Sequence, residues 1–154
     1  MTLATARAWL AQHAPDLAVI DQGRSTATVA EAAAALGVEH GRIAKTLALR
    51  FGERAMLLVA RGDARLDNAK CKAAFGARPR MLDAEETLAL TGHPIGGVCP
   101  FGLATPLPVY LDRSVRAFDP IHPAAGSLTS SVRVSPDRLF ALVGTGWVDL
   151  CRLA

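Results

Sequence analysis

Apolar and polar positions along the chain change their period several times, and each change predicts an element. Residues 2–13 read as an amphipathic helix that Pro15 ends, and residues 17–20 as a short strand. Thr28 followed by Glu31 predicts a capping box, with Thr28 bonding the amide three positions on and Glu31 reaching back. The alanine-rich helix that follows stops at Gly37. Residues 45–51 alternate apolar with polar, whereas residues 56–60 are continuously apolar. These predict a half-buried strand and a fully buried one, with Gly52 and Glu53 turning the hairpin between them. Asp67 caps a predicted helix through Phe75, and Asp83 with Glu86 forms a second capping box for a helix ending at Gly92. Residues 78–82 can hold a short strand between them. Residues 92–108, with four glycines and four prolines, are expected to be irregular. Strands are then predicted at 109–111, 115–118 and 128–134. A helix runs from Ser135 and Pro136 to Val143, and residues 147–153 close the chain.

Helices and hairpin-connected strands in this mixed order predict an α/β or α+β fold, with a mixed sheet or small barrel. Neither repeat nor linker interrupts residues 1–154, so one domain is expected, in keeping with the length of 154 residues. A hydrophobic fraction of 51% against 20% charged residues excludes wholesale disorder. The longest apolar run, residues 55–60, lies between two arginines and is too short to cross a membrane, which takes about 20 residues. The N-terminal residues lack the pattern of a signal peptide, so a cytosolic protein without membrane contact is expected. Three well-separated cysteines, Cys71, Cys99 and Cys151, form no CxxC pair and no Cys/His metal spacing, which predicts free thiols and no metal site.

Charge changes the picture more than composition does. The net charge is +3, but residues 42–80 hold ten basic side chains against three acidic ones. Such polarity is the footprint of a polyanion, since Lys and Arg gain affinity by displacing counterions from phosphates; solvated faces of strands and helices are the competing explanation. Eight aromatic residues are too few for a stacking platform for long single strands.

Chemistry is expected first in Gly96-Gly97-Val98-Cys99-Pro100, where two residues without Cβ precede a rigid proline. Such a loop can aim several amides at one point, holding an anion or polarising a carbonyl, although many glycine-proline loops are only turns. Lys45 stands in an otherwise apolar alternation, where a strand can aim it at a phosphate or an ester. His93 and His122 are candidate general bases or substrate donors. Cys99 is either a nucleophile or a small side chain shaping a pocket.

The landmarks together resemble the YbaK/EbsC family of aminoacyl-tRNA deacylases, related to the editing domain of bacterial prolyl-tRNA synthetase. They are Ser25-Thr26-Ala27-Thr28 before Glu31, Arg42-Ile43-Ala44-Lys45-Thr46-Leu47, Arg65-Leu66-Asp67 before Lys70, Thr91-Gly92 leading into Gly96 to Gly102, Pro106-Leu107-Pro108 before Tyr110-Leu111-Asp112, and Ala125-Gly126. The resemblance implies a mostly antiparallel mixed sheet closing into a small barrel with helices outside. It also implies hydrolysis, without metal or cofactor, of a small mischarged amino acid from the acceptor end of aminoacylated tRNA, usually proline tRNA. Alanine is favoured, with cysteine, serine, threonine and 2-aminobutyrate also handled by relatives. Lys45 would be catalytic, positioning the terminal adenosine or its phosphate, and the amides of the Gly96–Gly97 loop would polarise the ester. His93, Ile95, Val98, Cys99, Pro100, Gly126 and Ser127 would bind substrate, and the synthetase itself is a candidate transient partner. A non-catalytic tRNA- or synthetase-binding module of the same fold, and a thiol enzyme acting through Cys99, are the alternatives.

Overall fold

A computed structural model describes residues 2–153. Among these, five α-helices and ten short strands alternate in a mixed α/β fold. Helix α1 (Thr2–His13) buries Ala6, Leu10 and, just past its end, Ala14, a stripe four residues apart that lies against the main core. Strand β1 (Val19–Asp21) leads to α2 (Val29–Leu36). Thr28 accepts from the Glu31 amide at 3.1 Å, as its position predicts. The reciprocal half of the box is absent, because the Glu31 carboxylate accepts from the Thr28 hydroxyl instead.

The centre is the antiparallel hairpin of β2 (Ile43–Phe51) and β3 (Arg54–Arg61), paired from Ala44 with Arg61 to Phe51 with Arg54. Its two faces feed two cores. Ala44 and Ala48 of β2 join Leu57 and Val59 of β3 in the larger cluster, while Leu47, Leu49 and Phe51 join Met56, Leu58 and Ala60 in the second. Fully burying each such leucine contributes about 1.5–3 kcal/mol. Next in the chain come β4 (Ala64–Leu66), α3 (Asn68–Phe75), β5 (Arg80–Met81) and α4 (Ala84–Thr91). Asp67 and Asp83 cap the two helices as expected, the second with a complete capping box. Then follow β6 (Val109–Asp112), β7 (His122–Pro123), β8 (Ser130–Val132), α5 (Pro136–Val143), β9 (Gly146–Val148) and β10 (Cys151–Leu153).

The expected barrel does not form. A closed barrel needs one continuous ladder, whereas β1 pairs only β8, β10 pairs only β4, and the remaining strands run β5-β2-β3-β6-β9 with β7 beside β2. The expected strand at 115–118 is also replaced. Arg113–Ala117 is a 3₁₀ turn, started by the Asp112 carboxylate accepting from Ser114 N at 3.0 Å. Asp112 is itself buried, and its other oxygen accepts from Leu150 N at 2.7 Å, which ties the C-terminal segment to β6. No helix among the described residues is long and apolar enough to cross a membrane.

One irregularity of the sheet positions the site. On the edge of β2 facing away from β3, β7 pairs at Ile43 and Ala44, and β5 pairs at Leu49 and Arg50. Residues 45–47 between them have no strand partner on that edge.

Candidate active site

A cavity of about 270 Å³ opens where the β2 edge is unpaired. Its apolar wall is Val29, Ala32 and Leu36 of α2 with Ile43 and Leu82. Gly96 and Val98 also line the cavity, and its polar residues include Thr26, Lys45, Thr46, His122, Ser130 and Ser131.

The glycine loop is shaped by contacts that tolerate no Cβ. At Gly96 the backbone is left-handed (φ +91°), and a Cβ would come within 2.7 Å of Leu128 Cδ2 and 3.1 Å of Ala27 Cβ. At Gly97 a Cβ would meet the carbonyl carbon, oxygen and Cα of Ser127 at 2.8–3.0 Å, so the loop lies directly on the backbone of that residue. Ser127 is held in turn by its hydroxyl, 2.7 Å from that of Ser130. The expected nest of amides is therefore narrower than the sequence implied. Gly97 N donates to the Pro94 carbonyl at 2.9 Å and closes a turn, so it is unavailable to a ligand. The amides of Gly96, Val98 and Cys99 have no hydrogen-bond partner among the described residues.

Of the ten candidate residues, Lys45, Ile95, Gly96 and Val98 line the cavity, and Ile95 stands exposed at its mouth. The other six do not line it. Gly97 rests on the backbone of Ser127, and the neighbouring Gly126 is left-handed (φ +91°). His93, Cys99 and Pro100 are buried away from the cavity. The His93 ring lies 2.7 Å through Nε2 from the Phe101 carbonyl, which can only accept, so Nε2 carries the proton. Cys99 Sγ lies 3.5 Å from the same nitrogen and donates to the same carbonyl at 3.6 Å. Burial holds the His93 ring below the usual histidine range, and the wholly buried Cys99 thiol is pushed up to about 12. Both the burial of this thiol and its raised pKa disfavour a nucleophilic role.

Lys45 leaves β2 on the face opposite Ala44 and Ala48, and its ammonium donates to the Ala64 carbonyl. Burial lowers its pKa; Cys151 and Asp63 oppose that shift, and Arg65 adds to it. The side chain is tied to β4 rather than reaching toward the glycine loop.

His122, which the sequence raised as a base candidate, does line the cavity, its pKa lowered by burial and by Arg133 and Arg42. Thr46 was missed. It lines the cavity, and its hydroxyl is buried with no hydrogen-bond partner among the described residues. A lone polar residue beside a lysine in an apolar strand was the only signal, and any strand exposed on one face carries the same one.

Five of the ten basic side chains in residues 42–80 are engaged in ion pairs: Arg42 with Glu39, Arg50 and Arg80 with Glu86, Arg61 with Asp63, and Lys70 with Asp149. The guanidinium groups of Arg42 and Arg61 also lie over the Phe118 ring at 4.9 and 5.0 Å. The positive surface is thus more broken than the sequence suggests.

The family model of the aminoacyl-tRNA editing domain matches residues 24–142. An uncharacterized protein of Bacillus subtilis, YwhH, is 43% identical over 157 aligned positions, covering 99% of this chain and 98% of the relative. EbsC of Enterococcus faecalis, named as a proposed Cys-tRNA(Pro)/Cys-tRNA(Cys) deacylase, is 30% identical over 82% of this chain and 76% of its own. A crystal structure described as a proposed trans-editing enzyme for prolyl tRNA synthetase superposes with a TM-score of 0.89 at 35% identity, covering 98% of this chain and 97% of that one.

Proposed function

Because the chain belongs to the YbaK/EbsC family of aminoacyl-tRNA editing domains, we propose that it is a trans-editing hydrolase. It would cleave the ester of a small mischarged amino acid from the acceptor end of proline tRNA. The observation that carries this reading is the cavity itself, with unpartnered loop amides on one side and an open strand edge on the other. Among its described lining residues there is no Asp, Glu or Cys.

In this reading the ester carbonyl turns toward the amides of Gly96 and Val98. Water attacks the carbonyl carbon, and the oxygen that gains charge in the tetrahedral intermediate is stabilised by those N–H groups. Each such donor removed typically costs about a hundredfold or more in rate. Collapse breaks the bond to the ribose oxygen, which takes up a proton and leaves as the free hydroxyl of the terminal adenosine. Activation of the water falls to a neighbouring ribose hydroxyl of the substrate, with no metal ion required. Lys45 contributes a fixed positive charge where the terminal nucleotide arrives, positioning it rather than exchanging protons. The mostly apolar lining of the cavity suits a small uncharged side chain, alanine first, with cysteine, serine, threonine and 2-aminobutyrate as competitors.

The test is deacylation of proline tRNA charged separately with alanine, cysteine, serine and proline, with wild type and Lys45→Ala compared at equal concentration. The expected result is loss of one mischarged ester, sparing of proline and an inactive lysine variant. Binding of the tRNA without cleavage of any ester above the spontaneous rate would replace the hydrolase with a binding module.

A further inference from the structure

Six successive residues of β2, Ile43 through Ala48, border the cavity. Alternate side chains leave a strand on opposite faces, so an unbroken run can border one cavity only along the strand's edge, where main-chain groups emerge. Their direction alternates as well. The Ala48 carbonyl accepts from Leu82 N at 3.0 Å on this edge, so the N–H and C=O of Thr46, two residues back, emerge on the same edge. There both flanking strands have withdrawn, β7 pairing only at Ile43 and Ala44, and β5 only at Leu49 and Arg50. Main-chain groups away from water are nearly always paired. The Thr46 hydroxyl beside them is buried and has no partner among the described residues either. One residue thus presents a donor and an acceptor on the open edge, with an unsatisfied hydroxyl beside them.

We infer that Thr46 is the clamp for the main-chain atoms of the aminoacyl group, an inference that rests on the ester-hydrolase reading above. An extended aminoacyl ester presents an ammonium donor and a carbonyl acceptor along one side, as a residue of an added strand does. The ammonium donates to the Thr46 carbonyl, with the Thr46 hydroxyl as its second acceptor, and the ester carbonyl accepts from Thr46 N–H on one lone pair while the amides of Gly96 and Val98 meet the other. Residues paired directly across a ladder share a face. The amino-acid side chain therefore stands beside that of Thr46, on the sheet face of Ala44 and Ala48 and toward Val98. Thr46 is a positioning residue that also meets the substrate side chain.

The experiment compares alanyl and lactyl esters of proline tRNA, the second carrying a hydroxyl in place of the ammonium, with wild type, Thr46→Val and Thr46→Ser. On the alanyl ester, Thr46→Val is expected to lose about tenfold or more in kcat/KM, the loss of a hydrogen bond to a charged group, and Thr46→Ser to recover most of it. Wild type is expected to cleave the lactyl ester about tenfold or more slowly, and on that ester the valine penalty should nearly vanish. A role in packing alone would have valine active and serine impaired, and would overturn the inference. So would equal valine penalties on both esters, or wild-type cleavage of the lactyl ester at the alanyl rate, which stands independent of any variant's folding. Should wild type cleave no ester of proline tRNA at all, the hydrolase reading fails and the clamp with it. Cleavage indifferent to the ammonium removes the clamp alone.

Discussion

Gly97→Ala isolates the seating of the glycine loop from the chemistry of its amides. The added methyl would stand 2.8, 2.9 and 3.0 Å from three backbone atoms of Ser127, where ordinary van der Waals contact begins at 3.4 Å. Backbone cannot swing aside as a side-chain end can, so the loop must retreat by about half an ångström. Ser127 has little room to give, since its hydroxyl is bonded to Ser130 and also accepts from Thr129 N. Overpacking of this kind costs about 1–3 kcal/mol in stability. Displacement of the amides costs more in rate, because a misplacement of about 1 Å at a reacting centre can lower activity by about a hundredfold. The expected outcome is a fall in kcat/KM of about ten- to a hundredfold, with a drop in Tm of a few degrees. Gly76→Ala is the control: its φ is +76° and nothing lies within 4 Å of its Cβ position, so it should lose about 1 kcal/mol of stability and keep its activity. Single-turnover deacylation and thermal melts of the two variants measure this. A Gly97→Ala variant with wild-type rate and Tm would refute the argument that the Ser127 backbone seats the loop.

Cys99→Ala and Cys99→Ser should deaminoacylate within about threefold of wild type, because the thiol is sealed from the cavity and its ionisation pushed up to about 12; a hundredfold loss in both would restore the nucleophile reading. His93 is held neutral by burial, its folded pKa lying below the unfolded 6.5. The unfolded chain therefore binds more protons between those two values, and the stabilisation present above about 6.5 is lost as pH falls through the folded pKa. Urea denaturation at pH 7.5 and 5 should show a smaller decline for His93→Gln than for wild type. Asp112→Ala strands the buried amide of Leu150 and the half-buried amide of Ser114, which the carboxylate holds at 2.7 and 3.0 Å. It should cost about 3 kcal/mol or more in urea denaturation, since each lost hydrogen bond to a charged group costs about 1.5–3.

Local signals were legible and long-range ones were not. Thr28, Asp67, Asp83 and Ser135 announced their helices because a capping side chain bonds an amide only three residues away. The β2–β3 hairpin was readable for the same reason. The strand pairs β4–β10 and β1–β8 join segments far apart in the chain, and three-residue strands carry no period of their own. The sequence at 115–118 looks like a strand because Val115 and Phe118 are apolar, but the Asp112 side chain captures Ser114 N first. At the site, Gly96, Val98 and Lys45 could be named from loop composition and from a lysine in an apolar strand. The burial of His93, Cys99 and Pro100 could not, since residues adjacent in a loop face opposite ways once it folds onto Ser127. Thr46 acquires its meaning only from the absence of a neighbouring strand, which no local pattern records.

An unpaired strand edge ordinarily recruits other chains and seeds aggregates. On β2 the unpaired stretch is confined to residues 45–47, with β7 at one end and β5 at the other. An extended polypeptide passing along it would collide with both neighbours before it could form a ladder, whereas a single acyl unit arriving end-on would not. The gap thus excludes by length alone the peptides and nascent chains that vastly outnumber any small ester in a cell. The protein can leave backbone hydrogen bonds unmade there without becoming adhesive.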